Sequence, residues 1–434
     1  MSKDRPPADG FSTRYHRLKT DIHRRIVEAV DLSKLNRWDP ARMRREVRNL
    51  AVQLTGNASE LLNELEREQL TEEVMSEVFG LGPLDPLMTD PAVSAILVNG
   101  PHTVYVERNG RLELTAVRFH DDAHLLQIVQ RIAARVGRRA DEMSPMVDAR
   151  LEDGSRVNAI IPPLSLTGPV LSIRRFGVRL GGDELLTNGT MPAEVLGFLK
   201  AAVEARVSIL VSGGTGSGKT TLLNALSQYI PGDERLITIE DSAELKLRQR
   251  HVVPLETKTA NVEGAGEIRQ RELVRNALRM RPDRIIVGEV RGAEALDMLQ
   301  ALNTGHEGSL TTIHANDTRD ALTRLEMMVM MSGFDLPVPV IRYYIASAIT
   351  LVVQLARLKG GKRKVVRVSE VLGTDPAPYD IRDVFGYTQR GVRGGAAYGE
   401  FHATGYRPRV LDRLRAMGIE ADAGAFAERV WADA

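Results

Sequence analysis

The segment Gly213–Thr220 constrains this chain more than any other, because its eight residues form a complete G-x-x-x-x-G-K-T pattern. An apolar run, Ser208–Val211, precedes it and predicts a buried strand, and an apolar helical pattern begins at Thr221–Leu223. A strand, a glycine-rich loop and a helix in this order predict a loop that binds phosphate. A glycine-rich turn that binds nothing is the alternative, and the lysine, the threonine and both flanks argue against it.

Each residue type in this loop suits one part of a nucleoside triphosphate. Glycines let successive backbone N–H groups converge on phosphate oxygens, and the N-terminus of the helix adds partial positive charge. We expect Lys219 to reach the β- and γ-phosphates and the hydroxyl of Thr220 to bind Mg²⁺. The nucleotide-binding residues predicted from the pattern are Gly213, Gly214, Thr215, Gly216, Ser217, Gly218, Lys219 and Thr220.

Residues 184–372 alternate short, continuously apolar runs with helical patterns. Runs such as Leu236–Ile239 and Ile285–Val287 are typical of strands that are buried on both faces of a parallel sheet. The pattern therefore predicts an α/β domain. Two further apolar runs, Leu351–Leu358 and Val365–Val371, flank Lys359–Arg363 and predict a β-hairpin that closes the domain.

Three other regions surround this domain. Residues 1–80 are predicted to be an N-terminal helical region, and residues 81–183 mix short strands with a helix and predict a smaller α+β domain. Gly181–Asp183 is the predicted linker between the two domains. Residues 373–434 are rich in Gly, Arg and Ala and predict a C-terminal extension with two short helices, Val410–Met417 and Phe426–Trp431.

The N-terminal region divides into two oppositely charged parts. Residues 1–58 contain 13 Lys or Arg and 7 Asp or Glu, whereas residues 59–80 contain one Arg and seven Glu. Apolar residues recur at helical spacing in both parts, which predicts amphipathic helices with solvated charged faces. The alternative is a basic arm that docks on a partner. The apolar positions are Leu18, Ile22, Ile26 and Val30, then Leu62, Leu70, Val74 and Val78.

Composition removes several classes of function. The whole chain has 58 basic and 57 acidic residues and therefore a net charge of +1. A protein that coats nucleic acid is expected to have a large excess of basic residues, so this class is excluded. The absence of cysteine excludes disulfides, thiolate catalysis and cysteine zinc sites. The N-terminus lacks the apolar core of a secretory signal, and the uncharged stretch Tyr343–Ala356 has only 14 residues, against the ~18–20 that span a bilayer. We therefore expect a cytoplasmic protein that meets a membrane only through a partner or a surface.

Carboxylates follow two of the predicted buried strands. Glu240, Asp241 and Glu244 come after the first, and Glu289 comes after the second. In an open parallel sheet such positions lie at the crevice that binds ligands. A helix cap or a surface ion pair is the alternative for each. Gly288 stands where a magnesium-binding Asp is usual, so Glu289 either binds Mg²⁺ through water or polarises the attacking water, and the sequence leaves both roles open.

Two histidines bracket another strand, with His306 before it and His314 at its end. A structural role is the simpler interpretation of each, because a metal site would need more ligands than the sequence supplies. Near a γ-phosphate, however, a histidine can sense charge or donate a proton, since its own charge changes near neutral pH.

Four motifs then occur together and in order: Gly213–Thr221, Ile239–Glu244, Arg281–Arg291 and Thr304–His314. On these motifs the chain resembles, over residues 80–370, the type II/type IV secretion ATPase superfamily. In that family the segments are called the Walker A motif, the Asp box, an atypical Walker B motif and the His box. The chain looks most similar to the CpaF branch, which serves tight-adherence (Flp) pili, and Ser242, where related pilus motors often carry Pro, favours that branch.

The resemblance implies a RecA-like P-loop NTPase fold for residues 184–372 and ATP hydrolysis with Mg²⁺ in a ring-shaped homohexamer. It also implies that arginines of the preceding domain reach the nucleotide across a subunit boundary, where a guanidinium can stabilise transition-state charge. The matching positions here are Thr221 on the phosphates, the acidic cluster Glu240, Asp241, Glu244 and Glu289 with Arg291, the histidines His306 and His314, and the arginines Arg156, Arg174 and Arg175.

We therefore expect a motor that powers pilus assembly or protein secretion, joined to the inner membrane through platform proteins and without stably bound nucleic acid. One rival is a RecA-like nucleic-acid motor, which would need a basic channel bearing aromatic residues, whereas aromatic residues make up only 5% of the chain. The other rival is a scaffold that binds ATP and assembles without hydrolysing it. Phosphate release over time separates this scaffold from the motor.

Overall fold

The structure is a computed structural model that describes residues 18–19, 21–22, 25–26, 40–57, 62–108, 110–175, 180–258, 265–375 and 378–432. The chain divides into two compact units, Met1–Phe176 and Gly177–Ala434. In the described ranges no helix is both long enough and apolar enough to cross a bilayer.

The first unit begins with helices. Helix α1 spans Pro40–Asn57 and α2 spans Glu64–Phe79, and a 3₁₀ turn at Gly82–Leu84 leads into the short α3, Asp85–Thr89. A capping box starts α2, because the side chain of Asn63 accepts from the N–H of Glu66 while the Glu66 carboxylate accepts from that of Asn63. The predicted helical positions Leu70, Val74 and Val78 are confirmed, whereas Leu62 lies before the start of α2.

The two oppositely charged parts contact each other. The Lys19 ammonium lies 3.3 Å from a carboxylate oxygen of Glu73 and 3.0 Å from one of Glu77, and Arg48 pairs with Glu72. The described residues 18–19, 21–22 and 25–26 are helical, and Val30 lies outside the described residues. At least part of the basic charge is therefore used within this unit.

A six-stranded antiparallel sheet follows these helices, with its strands in the order β3-β2-β1-β6-β5-β4. Helix α4, Asp122–Arg135, packs on it and is capped by the side chain of Asp121, which accepts from the N–H of His124. The strands are β1 Val93–Asn99, β2 Val104–Arg108, β3 Arg111–Leu114, β4 Met146–Arg150, β5 Arg156–Ile160 and β6 Val170–Arg174.

In the second unit the described strands form one ten-stranded sheet, in the order β16-β15-β14-β13-β12-β7-β11-β10-β8-β9. The run from β12 to β9 is parallel, and the strands beyond β12 are antiparallel. The strands are β7 Ile209–Gly213, β8 Leu236–Glu240, β9 Val252–Glu256, β10 Arg284–Val290, β11 Leu310–Ile313, β12 Leu351–Arg357, β13 Arg363–Gly373, β14 Asp380–Arg393, β15 Ala396–Ala403 and β16 Arg429–Ala432.

Helices cover both faces of the parallel part of this sheet. On β7, Ile209 and Val211 belong to one hydrophobic core and Leu210 to the other, which explains why such strands are apolar throughout. The predicted α/β fold is confirmed. The helices are α5 Gly182–Thr187, α6 Ala193–Glu204, α7 Lys219–Ser227, α8 Gln270–Ala277, α9 Glu294–Asn303, α10 Thr318–Met330, α11 Val338–Ala348 and α12 Val410–Ala416.

The C-terminal residues continue the sheet. The predicted hairpin of β12 and β13 and the predicted helix at Val410 are confirmed. The predicted helix Phe426–Trp431 is wrong, because a 3₁₀ turn ends at Phe426 and β16 then pairs with β15, which places Trp431 opposite Phe401. Packing of Trp431 and Phe426 against Phe385 decides this conformation.

The segment predicted as a linker has local structure of its own. Gly181 is the N-cap of α5, and its N–H donates to the Glu184 carboxylate at 2.8 Å. Asp183 is therefore a residue of the first turn of α5. The division between the two compact units lies at residues 176/177, a few residues before this helix.

Candidate nucleotide site

The phosphate-binding loop leaves the C-terminal end of β7 and enters α7 at Lys219. Gly218 is the N-cap of α7 with φ 98°, in the left-handed region that favours glycine. A Cβ on Gly213 would lie 2.5 Å from the hydroxyl oxygen of Ser217 and 2.7 Å from the carbonyl oxygen of Leu355. The loop therefore needs glycine at both of its ends for reasons of geometry.

Polar groups inside the loop suit an anionic ligand. The Lys219 ammonium donates to the carbonyl oxygens of Gly213 at 2.9 Å and Gly214 at 3.2 Å, so it lies across the loop. The hydroxyl of Ser217 is buried and makes no hydrogen bond within the described part of the chain. A buried hydroxyl without a partner, beside an ammonium and a helix N-terminus, fits a bound phosphate.

The donor set also fits Mg²⁺. Thr220 lies in the first turn of α7, and Glu289 lies near the end of β10, so both offer the hard oxygen ligands that Mg²⁺ prefers. Among the described residues no group of three or more His, Asp or Glu side chains could hold a metal ion by itself. A magnesium ion here would therefore take most of its ligands from phosphate and water.

Three strand ends bring the predicted residues to one edge of the sheet. Strand β11 pairs with β7 on one side and with β10 on the other, with Ile313 opposite both Ser212 and Val290. Because these strands are parallel, their C-terminal ends share an edge. That edge carries the phosphate-binding loop, Glu289 and His314, as predicted for an open parallel sheet.

Glu240, the last residue of β8, is buried and bound to backbone. Its carboxylate accepts from the N–H groups of Glu244 at 2.9 Å and Leu245 at 3.1 Å. Burial raises the pKa of the Glu240 carboxyl to about 7, although these two hydrogen bonds lower it, and the charges of Glu244 and Glu256 raise it further. Glu240 therefore shapes the segment that contains Asp241 and Glu244.

The position of Glu240 also explains the unusual glycine on β10. A Cβ on Gly288 would lie 2.8 Å from Cγ of Glu240, so a side chain cannot be placed there without displacing that carboxylate. The magnesium-binding Asp that is usual at this position has no room. Glu289, one residue later, is the carboxylate that β10 presents at this edge.

Arg291 joins the two acidic segments. Its guanidinium donates to Glu289 at 3.0 Å from Nε and lies 3.4 Å from a carboxylate oxygen of Asp241. Burial lowers the pKa of Arg291, but the two carboxylates outweigh it, so the pKa is raised overall and the side chain stays charged. Glu244 is half-buried and lies on the same segment as Asp241.

The two predicted histidines lie at opposite ends of β11. His314 follows the C-terminal end of the strand, beside the loop edge, and is half-buried. His306 precedes the strand, and its Nδ1 atom is buried without a hydrogen-bond partner among the described residues. The nearby Ser208 hydroxyl accepts from Gly308 at the other edge of the sheet. The structure therefore does not bring His306 to the phosphate-binding loop.

The predicted arginines of the first unit have different surroundings. Arg156 on β5 and Arg174 on β6 are direct partners in the sheet, and Arg150 on β4 is the next residue in the same row. Arg175 instead donates to the carbonyl oxygens of Val93 at 3.0 Å and of Asp90. No sequence motif surrounds Arg150, so its place in this row of arginines is seen only from the pairing of β4 with β5.

Two further arginines next to the phosphate-binding loop come from the β12–β13 hairpin. Arg363 donates from Nε to the carbonyl oxygen of Gly216 at 2.9 Å. Nη1 of Arg357 would lie 3.3 Å from a Cβ on Gly216. The hairpin itself could be predicted, but its place beside β7 depends on the order of strands, which the sequence does not indicate.

The chain is similar to several known proteins. The family model described as type II/IV secretion system protein matches residues 77–391. A putative conjugal transfer protein of Mycobacterium tuberculosis is 38% identical over 303 residues, 68% of this chain and 86% of that protein. The type IV secretion system protein VirB11 of Brucella suis is 34% identical, over 64% of this chain and 84% of its own length.

A solved structure, that of the VirB11 ATPase from the Brucella suis type IV secretion system in complex with sulphate, is also similar. It is 31% identical and covers 69% of this chain and 96% of its own, with a TM-score of 0.37.

Proposed function

This chain belongs to the type II/IV secretion system protein family, and from that premise we propose that it is an ATP-hydrolysing motor for protein secretion or pilus assembly. The observation that carries the proposal is the shared edge of β7, β10 and β11. Along that edge β7 presents the phosphate-binding loop with Lys219, and β10, which is separated from β7 by β11, presents Glu289. A phosphate-binding loop alone indicates nucleotide binding. Hydrolysis also needs an oriented water molecule, and the Glu289 carboxylate at the same edge can orient it.

In this mechanism the loop N–H groups and the Lys219 ammonium hold the phosphate chain, and Lys219 exchanges its two carbonyl partners for phosphate oxygens. The hydroxyl of Thr220 would hold Mg²⁺, which when bound would neutralise phosphate charge. The Glu289 carboxylate orients the attacking water and accepts its proton. Glu240 is occupied by backbone N–H groups and is given a positioning role.

Further features of the proposal come from the resemblance to the CpaF branch. The motor is proposed to be a cytoplasmic homohexamer that acts on an inner-membrane platform for tight-adherence pili. Arg156 and Arg174 are proposed to reach the nucleotide of a neighbouring subunit, and their alignment in one row of the sheet supports a joint role. Arg175 is proposed to support the fold, since its guanidinium is bound to carbonyl oxygens.

The test is phosphate release from Mg²⁺–ATP by the purified full chain. We expect Lys219→Ala to abolish both binding and release, and Glu289→Gln to keep binding while losing release. Matched controls come from the ion pair of Lys200 and Glu204 on α6, because Lys200 lies over the ring of Tyr229, just beyond the far end of α7. Lys200→Ala and Glu204→Gln are expected to keep wild-type rates.

The outcomes also decide between the alternatives. Nucleotide binding without phosphate release, unchanged by Glu289→Gln, would indicate an assembly scaffold in place of a motor. Release that rises manyfold with single-stranded DNA would indicate a nucleic-acid motor. Normal turnover by the Lys219→Ala variant would remove the proposed site altogether.

A further inference from the structure

The order of the strands gives the nucleotide site two distinct sides. Strand β7, which carries the phosphate-binding loop, lies between β11 and β12. Beyond β11 comes β10 with Glu289, so the phosphate that is cleaved must face that side. The remainder of a bound nucleotide is then directed toward β12 and the hairpin that follows it.

That hairpin presents two arginines at the loop. Leu355 of β12 pairs with Gly213, so Arg357, two residues later, lies just beyond the edge where the loop begins. Nη1 and Cδ of Arg357 lie 3.3 Å and 3.9 Å from the position of a Cβ on Gly216. Its side chain is exposed, so its guanidinium flanks the loop at the surface.

Arg363 acts on the loop itself. It donates to the carbonyl oxygen of Gly216, and its Cδ would lie 3.3 Å from a Cβ on Gly218. A guanidinium on the outer carbonyl of a loop polarises the peptide and fixes its orientation. Arg363 is therefore tied to loop geometry, whereas the exposed Arg357 lies next to Gly216 on the β12 side of the loop.

We propose that Arg357 contacts the nucleoside half of the nucleotide, with its planar guanidinium against the face of the base, while Arg363 is a positioning residue for the phosphate-binding loop. This inference rests on the proposed nucleotide site and adds its base-recognition side. A guanidinium suits the role because it is planar, always charged and weakly hydrated, and so stacks readily on an aromatic ring.

Calorimetric titration of the full chain with two probes tests the assignment: Mg²⁺–ATP, which has a nucleoside, and Mg²⁺–tripolyphosphate, which has none. For Arg357→Ala we expect about tenfold weaker ATP binding and tripolyphosphate binding within about twofold of wild type. For Arg363→Ala we expect both probes to bind more weakly by the same factor. Arg367→Ala is the matched control, since this exposed β13 arginine lies 3.5 Å from Asp383, and we expect no change.

A charge-preserving variant completes the design. Arg357→Lys keeps the charge but loses the planar face, and we expect it to bind ATP several-fold more weakly than wild type does. Three results would overturn the contact with the base. In Arg357→Ala these are an equal loss of affinity for both probes, or unchanged affinity for ATP. The third is wild-type affinity for ATP in Arg357→Lys. Failure of the wild-type chain to bind either probe would instead overturn the proposed function.

Discussion

The guanidinium of Arg291 donates two hydrogen bonds to one carboxylate oxygen of Glu289, from Nε at 3.0 Å and from Nη2 at 2.5 Å. The two residues are two positions apart at the end of β10, and the same guanidinium lies 3.4 Å from a carboxylate oxygen of Asp241, the residue after β8. The carboxylate proposed to orient the attacking water is thus fixed in direction by a cation. Only its second oxygen is outside this pair of hydrogen bonds.

Removing the Arg291 guanidinium should impair phosphate release more than the binding of Mg²⁺–ATP. In Arg291→Ala we expect phosphate release to fall between about ten- and a hundredfold, because Glu289 loses its orientation, while the Kd for Mg²⁺–ATP stays within about twofold. Arg291→Lys should recover part of the rate. Steady-state phosphate release and calorimetric titration measure the two quantities. A faster rate in Arg291→Ala would mean that the ion pair restrains Glu289 in an inactive position.

Glu240 should make the stability of the second unit depend on pH. Its folded pKa of about 7 exceeds the ordinary 4.5, so its contribution to stability is fully present below pH 4.5 and is lost as the pH rises through 7. The loss is about 3 kcal/mol from the size of this shift. Glu240→Gln can still accept both backbone hydrogen bonds and does not titrate.

We therefore expect the unfolding free energy of Glu240→Gln, relative to wild type, to rise by about this amount between pH 4.5 and pH 8. Urea denaturation at a series of pH values measures it, with the surface variant Glu204→Gln as the control. Parallel pH profiles for Glu240→Gln and wild type would contradict the assignment.

The parts of the site that could be predicted are those fixed by local sequence. The loop Gly213–Thr220 needs particular residues at particular backbone positions, and the buried strands are apolar on both faces. Strand β14 could not be predicted, because Gly386 looks like a strand breaker. In the folded sheet a Cβ at this position would lie 2.5 Å from Nε2 of His402, so glycine makes room for a neighbouring strand.

Most of the site residues that the sequence does not predict are placed by the pairing of strands that are distant in the sequence. The place of Arg357 and Arg363 depends on β12 pairing with β7, and that of Arg150 on β4 pairing with β5. Such lateral order is a property of the whole sheet and has no signature in a local window. Sequence distance is also a poor guide for His306. It is close to His314 in the sequence, but the two residues lie at opposite ends of β11 and therefore at different edges of the sheet.

Arg174 and Arg175 should separate activity from stability although they are neighbours. Arg175 donates to the carbonyl oxygens of Val93 and Asp90, so Arg175→Ala removes these two hydrogen bonds and should lower the stability of the first unit by about 1–3 kcal/mol. Arg174 is exposed at the end of β6, and Arg174→Ala should change stability by less than about 0.5 kcal/mol.

Phosphate release should show the opposite order, with a larger loss in Arg174→Ala among molecules that remain folded. Thermal denaturation and phosphate-release rates of both variants provide the comparison. Equal rates in Arg174→Ala and wild type would remove this arginine from the proposed site.

The buried ion pair between Arg284 and Glu234 should be a large single contribution to the stability of the second unit. Arg284 has no exposed surface, and its Nε and Nη2 donate to the two Glu234 oxygens at 2.6 Å and 2.8 Å. Its remaining donor, Nη1, binds the carbonyl oxygens of Val203 and Gly308. Arg284→Met would leave all of these acceptors without that partner in a buried environment.

We expect Arg284→Met to lower the unfolding free energy by about 3–5 kcal/mol, since the buried Glu234 carboxylate loses two short hydrogen bonds and keeps the longer contact with Arg206. Arg206 provides a matched control, because it approaches the same carboxylate at 3.4 Å from a half-buried position, and we expect its loss to lower the stability less than the loss of the fully buried Arg284. Arg206→Met also keeps an unbranched side chain at φ 56°. Guanidinium chloride denaturation of both variants measures the difference, and equal losses would mean that burial does not set the strength of this pair.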